Sequence, residues 1–129
     1  ASNAAYGAAR LHQDADGEFV AWVRALEIDR LGLPTPHLQL LLRVPPAVAA
    51  RRSRGRERQE AERVRDAFEV DAGLQARCAE VYQQLAGRHW LSPWLVIDGV
   101  AEVDPAVLAT ALLRQALPQV PPEDVEFPQ

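Results

Sequence analysis

Lysine and methionine are missing altogether from these 129 residues, and cysteine occurs once. Without lysine, the Gly-x-x-x-x-Gly-Lys-Ser/Thr loop that cradles nucleotide phosphates has no match anywhere in the chain. A single cysteine, Cys78, excludes an internal disulfide, so nothing points to an oxidising compartment. It falls in an amphipathic stretch and reads as a small helix-face residue. No apolar run is long enough for a membrane span or a signal-peptide core, which predicts a soluble, cytoplasmic protein. The formal charge of −4 argues against general binding to nucleic acid or to an anionic membrane. His12, His37 and His89 stand far apart in different contexts, so a shared metal site is not expected.

What is present suits one compact domain, with 48% hydrophobic and 25% charged residues, both ordinary for a globular protein. A complete core in a chain of this size buries roughly two-thirds of the unfolded surface. All fourteen basic residues are arginine, a residue whose planar fork grips phosphate; a GC-rich genome, with its abundant alanine, gives the same bias.

Ser2 or Asn3 is placed to cap a short alanine-rich helix running to about His12. Glu18 to Leu31 carries Phe19, Val20, Val23, Leu26 and Ile28 at helical spacing, and Gly32 and Pro34 stop it. Leu38 to Val44 is a nearly continuous apolar run between prolines, the pattern of a strand buried on both faces of a parallel sheet. Pro46 suits the first turn of a helix that runs through Val48 into an arginine-dense stretch. A longer helix is expected over residues 66–87, with Leu74, Val81, Tyr82 and Leu85 inward. Trp94 to Ile97 reads as a second buried strand ended by Asp98-Gly99. Asp104-Pro105 opens a last helix to about Leu117, and residues 118–129 form a loosely ordered, proline-rich and acidic tail. Long helical crossovers between buried strands predict an α/β layered fold. Two strands do not make a self-sufficient parallel sheet, so this is half of a domain.

The densest functional signal is Arg51-Arg52-Ser53-Arg54-Gly55-Arg56-Glu57-Arg58, followed by Arg63 and Arg65. Arg52, Arg56 and Arg63 share roughly one face if the helix continues past Gly55. Composition leaves the choice open. A solvated helix with Glu57, Glu60 and Glu62 pairing with arginines is one reading, and a nucleic-acid-binding helix, weakened by those acids, is another. Asp98, Glu102 and Asp104 are better explained by loop solvation and capping than by a carboxylate site.

The order of these words resembles that of thymidylate kinases, closest to the mycobacterial type. The matching segments are Leu31-Gly32-Leu33-Pro34-Thr35-Pro36, then Val44-Pro45-Pro46 after the strand, then the arginines and Asp66-Ala67-Phe68-Glu69. Leu74-Gln75, Arg77 and Val81-Tyr82 match the long helix, Trp94 to Ile97 the final strand, and Val103-Asp104-Pro105 the start of the final helix. In that family an Asp-Arg-Tyr segment is followed by Val-Ala-Ser-Asn-Ala-Ala-Tyr, a line that Ala1-Ser2-Asn3-Ala4-Ala5-Tyr6 continues.

The resemblance implies a P-loop nucleotide kinase fold, a parallel sheet between helices, of which residues 1–117 form the C-terminal part with a lid at about 51–65. It implies transfer of the ATP γ-phosphoryl to dTMP with Mg2+ present, in a homodimer whose contacts include the helix of Glu18 to Leu31. Arg52, Arg56 and Arg63 become the catalytic lid arginines, with Arg58 standing one position from a family arginine. Ser2, Asn3 and Tyr6 match the dTMP pocket: Asn3 a residue that hydrogen-bonds thymine, Tyr6 an aromatic that crowds the ribose 2′ position. Read without the family, Asn3 is a helix cap and Tyr6 a core aromatic. Asp66 and Glu69 match acids on the acceptor and magnesium side. Phe68 stands where close relatives often carry tyrosine, and Ala67 replaces the arginine of the commoner pattern. The chain taken alone is expected to be inactive. Another nucleotide or deoxynucleoside kinase of the same fold, or a non-catalytic arginine-rich binding module, are the alternatives.

Overall fold

The computed structural model describes residues 1–45, 47–49, 51–52, 72–101 and 103–119. Helix α1 (Ser2–Arg10) is followed by α2 (Glu18–Arg24), which passes directly into a π-helix (Ala25–Arg30). Strand β1 (Gln39–Arg43), helix α3 (Ala72–Gly87), strand β2 (Trp94–Asp98) and helix α4 (Pro105–Ala116) complete the order, with a 3-10 turn at Leu117–Gln119. Residues 47–49 and 51–52 are helical. The result is an α/β arrangement with a two-stranded parallel sheet, in register from Gln39 opposite Trp94 to Arg43 opposite Asp98. The expected first turn at Pro46, the lid beyond Arg52, the start of the long helix and the tail beyond residue 119 lie outside the described residues.

The core is helical. Ala4, Ala5, Ala8 and Ala9 are all buried, an i, i+1, i+4, i+5 stripe that turns the whole inner face of α1 into methyl groups. They share one cluster with Val20 and Val23 of α2 and with Val81 and Leu85 of α3. Phe19, Leu74, Cys78 and Tyr82 pack against that cluster, so the expected inward set of α3 is in place. Gly7 sits where α1 meets Phe19, and a Cβ there would overlap the ring.

Polar side chains tie the helices at their ends. Arg77 Nε donates to the Ala9 carbonyl at 3.1 Å, one of the carbonyls a helix C-terminus leaves without an intrahelical donor. Gln84 accepts from the Ala15 amide at 2.9 Å and donates to Asp14 at 3.2 Å, clasping the α1–α2 loop. Gln39 Nε2 donates to the Trp90 carbonyl and the Ser92 hydroxyl, fixing the start of β1 to the turn that feeds β2. That turn carries left-handed backbone at His89 and Leu91. Gly32, also left-handed, ends the π-helix where a C-terminal glycine was expected.

Three expectations need correction. Ala1, not Ser2 or Asn3, occupies the cap position of α1, and both polar residues lie inside its first turn. The Glu18 to Leu31 helix is not α-helical throughout. Leu31 N–H bonds the Leu26 carbonyl five residues back, and the wider turn leaves Leu26 and Ile28 only half-buried rather than extending the Val20–Val23 stripe. Strand β1 is not buried on both faces: Leu40 and Leu42 are exposed, as is Val96 of β2, because no further layer of described residues covers them. The Asp104 cap is as expected, its Oδ1 accepting from Ala106 N–H at 2.8 Å.

Leu85 is the largest fully buried side chain among the described residues. Leu85→Ala is therefore expected to cost about 2–5 kcal/mol, measured as the loss in unfolding free energy from urea titration. A change under about 1 kcal/mol would place the core elsewhere. Burial, and secondarily Cys78, raises the Tyr82 phenol above its ordinary 10.0. The folded state then holds this proton more tightly than the unfolded state. Stability is unaffected below the unfolded value, falls as pH rises past it, and levels off above the folded value. Tyr82→Phe is expected to flatten that decline in the urea midpoint as pH rises past the ordinary value of 10.0. An unchanged slope would show that the phenol is fully hydrated.

Candidate functional site

The inward alanine face of α1 dictates what its other face presents. Ser2, Asn3, Tyr6 and Arg10 all lie on the exposed side, with Tyr6 52% exposed. Tyr6 is thus not a core aromatic, and Asn3 is not a cap.

Each of these two side chains has an orienting partner. Asn3 Nδ2 donates to Glu27 Oε1 at 3.1 Å across from the π-helix. A carboxylate only accepts, so it fixes the amide nitrogen toward Glu27 and leaves Asn3 Oδ1 available as an acceptor. Arg10, one turn on, lies with its guanidinium carbon 6.0 Å from the Tyr6 ring centroid and its Nη1 3.4 Å from the Tyr6 hydroxyl. The Tyr6–Arg10 pair was missed in the sequence, although its i, i+4 spacing is a signal that could have found it. Glu27, 24 positions from Asn3, carried no such signal.

Tyr6 also borders a groove of about 970 Å³. Leu40, Leu41 and Leu42 of β1 line it on one side, Leu74, Cys78, Ala79 and Tyr82 of α3 on the other, and Arg43, Pro45 and Ala49 close the end nearest the arginine stretch. The groove therefore joins the α1 face to the root of that stretch. Arg52 is exposed, and its Nη1 donates to the Gly99 carbonyl at 3.0 Å. Asp98 Oδ1 accepts from Val100 N–H at 2.9 Å, so this carboxylate shapes the turn that Arg52 reaches. Arg56, Arg63, Asp66, Phe68 and Glu69 lie outside the described residues. Among the described residues no three acidic, histidine or cysteine side chains form a group that could hold a metal ion. No helix among them is long and apolar enough to cross a membrane.

No family model matches the chain. Two curated relatives do, the thymidylate kinases of two strains of Mycobacterium tuberculosis. Each is 50% identical over 121 residues, which cover 94% of this chain and 54% of the relative. The chain spans about half the length of the curated relatives it matches. Along nearly its whole length it is similar to the C-terminal portion of a thymidylate kinase, the resemblance that its motifs carry.

Proposed function

We propose that this chain forms the acceptor-side wall and the arginine lid of a thymidylate kinase, which transfers the ATP γ-phosphoryl to dTMP and gives dTDP. The observation that supports this most is the outward face of α1. Asn3 and Tyr6 stand side by side, each held by a surface partner, in a chain half-identical to enzymes named for that activity.

Asn3 Oδ1 is the acceptor for the imide N–H of thymine. A cytosine ring offers an acceptor at the same place and is rejected, since two acceptors facing each other leave both unpaired. Tyr6 stands beside the sugar and fills the space of a 2′-hydroxyl, with Arg10 restraining the ring. Ser2 completes the pocket wall.

Phosphoryl transfer needs alignment and neutralisation of spreading negative charge more than covalent chemistry. Arg52, Arg56 and Arg63 supply that charge from the lid at about residues 51–65. Closing them over the phosphates expels water and strengthens each charged hydrogen bond. Arg52 must exchange its Gly99 contact for a phosphate in doing so. Asp66, Phe68 and Glu69 border the acceptor. Mg2+ accompanies ATP in this chemistry, but the described residues gather no cluster fit to hold it. The P-loop kinase fold, the homodimer through the α2 region and the cytoplasmic setting belong to the same reading. Trp22, at 57% exposure, is the apolar side chain that the α2 surface offers such a contact.

The 129-residue chain alone is expected to show no dTMP-dependent formation of ADP, because no phosphate loop is encoded in it. Fusing it to the portion of the M. tuberculosis enzyme that it does not match is expected to give such activity. A correctly folded but inactive fusion would sink the kinase reading, and turnover by the chain alone would overturn the division of labour.

In that fusion, Tyr6→Ala is expected to narrow the preference for dTMP over its ribonucleotide counterpart by about 1–3 kcal/mol in the ratio of kcat/KM values. Weaker dTMP binding from lost packing accompanies it, which is why the ratio is the quantity to compare. An unchanged ratio would make Tyr6 a packing residue only.

A further inference from the structure

The amide of Asn3 has two orientations of nearly the same shape, related by a half-turn, and they ask opposite things of a ligand. One presents the carbonyl oxygen and accepts a hydrogen bond. The other presents the amino group and donates one. Asn3 is exposed, and among the described residues its side chain has a single hydrogen-bond partner, Glu27. Whatever fixes the amide therefore fixes which nucleobase this face of α1 can take.

Glu27 stands four positions after Val23 and seven after Val20, where the buried apolar stripe of α2 would next meet α1. A half-buried carboxylate takes that place instead of an aliphatic side chain. It accepts from Asn3 Nδ2 and forms no ion pair among the described residues, although Arg24 and Arg30 stand three positions to either side. Its backbone is pinned too. The Glu27 carbonyl accepts from Leu33 N–H at 2.9 Å, in the closing turn where Gly32 is left-handed and Leu31 N–H reaches Leu26. The departure from α-helical bonding thus falls on the turn that carries Glu27, and such π segments recur at functional sites. Docking of the helices does not need the pair. Phe19 against Gly7, with the buried Val20 and Val23, already sets α2 along α1, while an exposed amide–carboxylate bond competes with water.

We propose that Glu27 is a positioning residue for base selection. Its carboxylate holds the Asn3 amide with Nδ2 toward the π-helix and leaves Oδ1 for the base. The site then takes a base that offers a ring N–H and refuses one that offers a ring acceptor. In the reversed orientation Oδ1 would face the carboxylate oxygens, two acceptors without a proton between them, while Nδ2 would welcome a cytosine. The proposal rests on the kinase reading for the ligand that Asn3 meets, and on the Glu27–Asn3 bond for its direction.

The test has two arms. Asn3 is the only asparagine in the chain, so isotopic labelling of asparagine nitrogen gives one side-chain amide signal in NMR. In the intact 129-residue chain, Glu27→Ala and Glu27→Gln are expected to shift that signal and to speed its exchange with water. A signal unmoved by both would overturn the proposal. The second arm measures dissociation constants of dTMP and dCMP for the fusion to the unmatched portion of the M. tuberculosis enzyme. Glu27→Gln keeps the shape but donates as well as accepts, so it permits both orientations of Asn3. It should narrow the preference for dTMP by about tenfold, and the contribution of the thymine methyl cancels between variant and parent. Glu27→Ala should narrow it as well. In an Asn3→Ala background neither substitution should move the ratio further, because Glu27 acts through Asn3. A residue that only supports the fold would lower the urea midpoint and leave the ratio alone. A fusion that binds dTMP with an unchanged ratio sinks this proposal and leaves the kinase reading standing, as does a further loss in the Asn3→Ala background. A folded fusion that binds no dTMP sinks the kinase reading, and the choice of base falls with it.

Discussion

The contact between α1 and α3 fixes the rest of the molecule. Because the inner face of α1 is made of Ala4, Ala5, Ala8 and Ala9, nothing larger than a methyl separates its backbone from its neighbours. Helix separation follows the size of the side chains at the contact, so an alanine face permits close approach. Alanine also gives up no side-chain entropy on burial and is the strongest helix former. The larger groups come from the other partners, Val81 and Leu85 of α3 and Val20 and Val23 of α2. Arg77 and Gln84 then lock the end of α1 and the loop beyond it to α3. With one face committed to the core, the orientation of Asn3, Tyr6 and Arg10 toward solvent follows from helical geometry alone.

The sheet stands in a different condition. Its two strands are joined by a regular ladder and by Gln39, whose amide reaches the turn before β2. Yet Leu40, Leu42 and Val96 remain exposed, and none of the residues of α4 is buried. Burying a leucine fully is worth about 1.5–3 kcal/mol relative to leaving it in water. Strands composed this way gain most of their stabilisation only when a further layer meets them. The helical cluster thus carries the fold, and the strands carry unused capacity for association.

Local chemistry was legible in the sequence wherever one segment sufficed to decide it. Gly32 marked a helix end, Asp104-Pro105 a cap and first turn, and Leu74, Val81, Tyr82 and Leu85 the inward face of α3. The strands were found because their apolar runs are bounded by proline and by Asp98-Gly99. Three features were not legible, each for a physical reason. The π-helix keeps helical composition and changes only the hydrogen-bond step, from four residues to five at Leu31. The exposure of β1 depends on what lies beside it, and its composition is that of a strand with covers on both faces. The cap of α1 went to Ala1 because Ser2 and Asn3 had already entered the helix. At the candidate site, Asn3 and Tyr6 were named through family resemblance, and Arg10 was missed although it stood at readable spacing. Glu27 reaches Asn3 only through the packing of α1 against α2, which no local pattern encodes.

Rigid and adjustable parts meet at that face. The positions of Asn3 and Tyr6 are set by buried alanines, which cannot move without opening the core. Their side-chain directions are set by exposed contacts, the Glu27 hydrogen bond and the Arg10 cation–π contact. Such contacts are worth about 0.5–1.5 kcal/mol each in water, close to the entropy of holding the side chains still. They add little to stability, and a stronger partner can displace them. Glu27 can keep its bond to Asn3 while a ligand takes the amide oxygen, since donor and acceptor lie at opposite ends of the amide. Arg10 can leave the Tyr6 hydroxyl and still lie over the ring. The outer face of α1 therefore pairs a fixed backbone with side chains oriented at low cost, an arrangement in which a ligand meets its partners already aligned and displaces little to engage them.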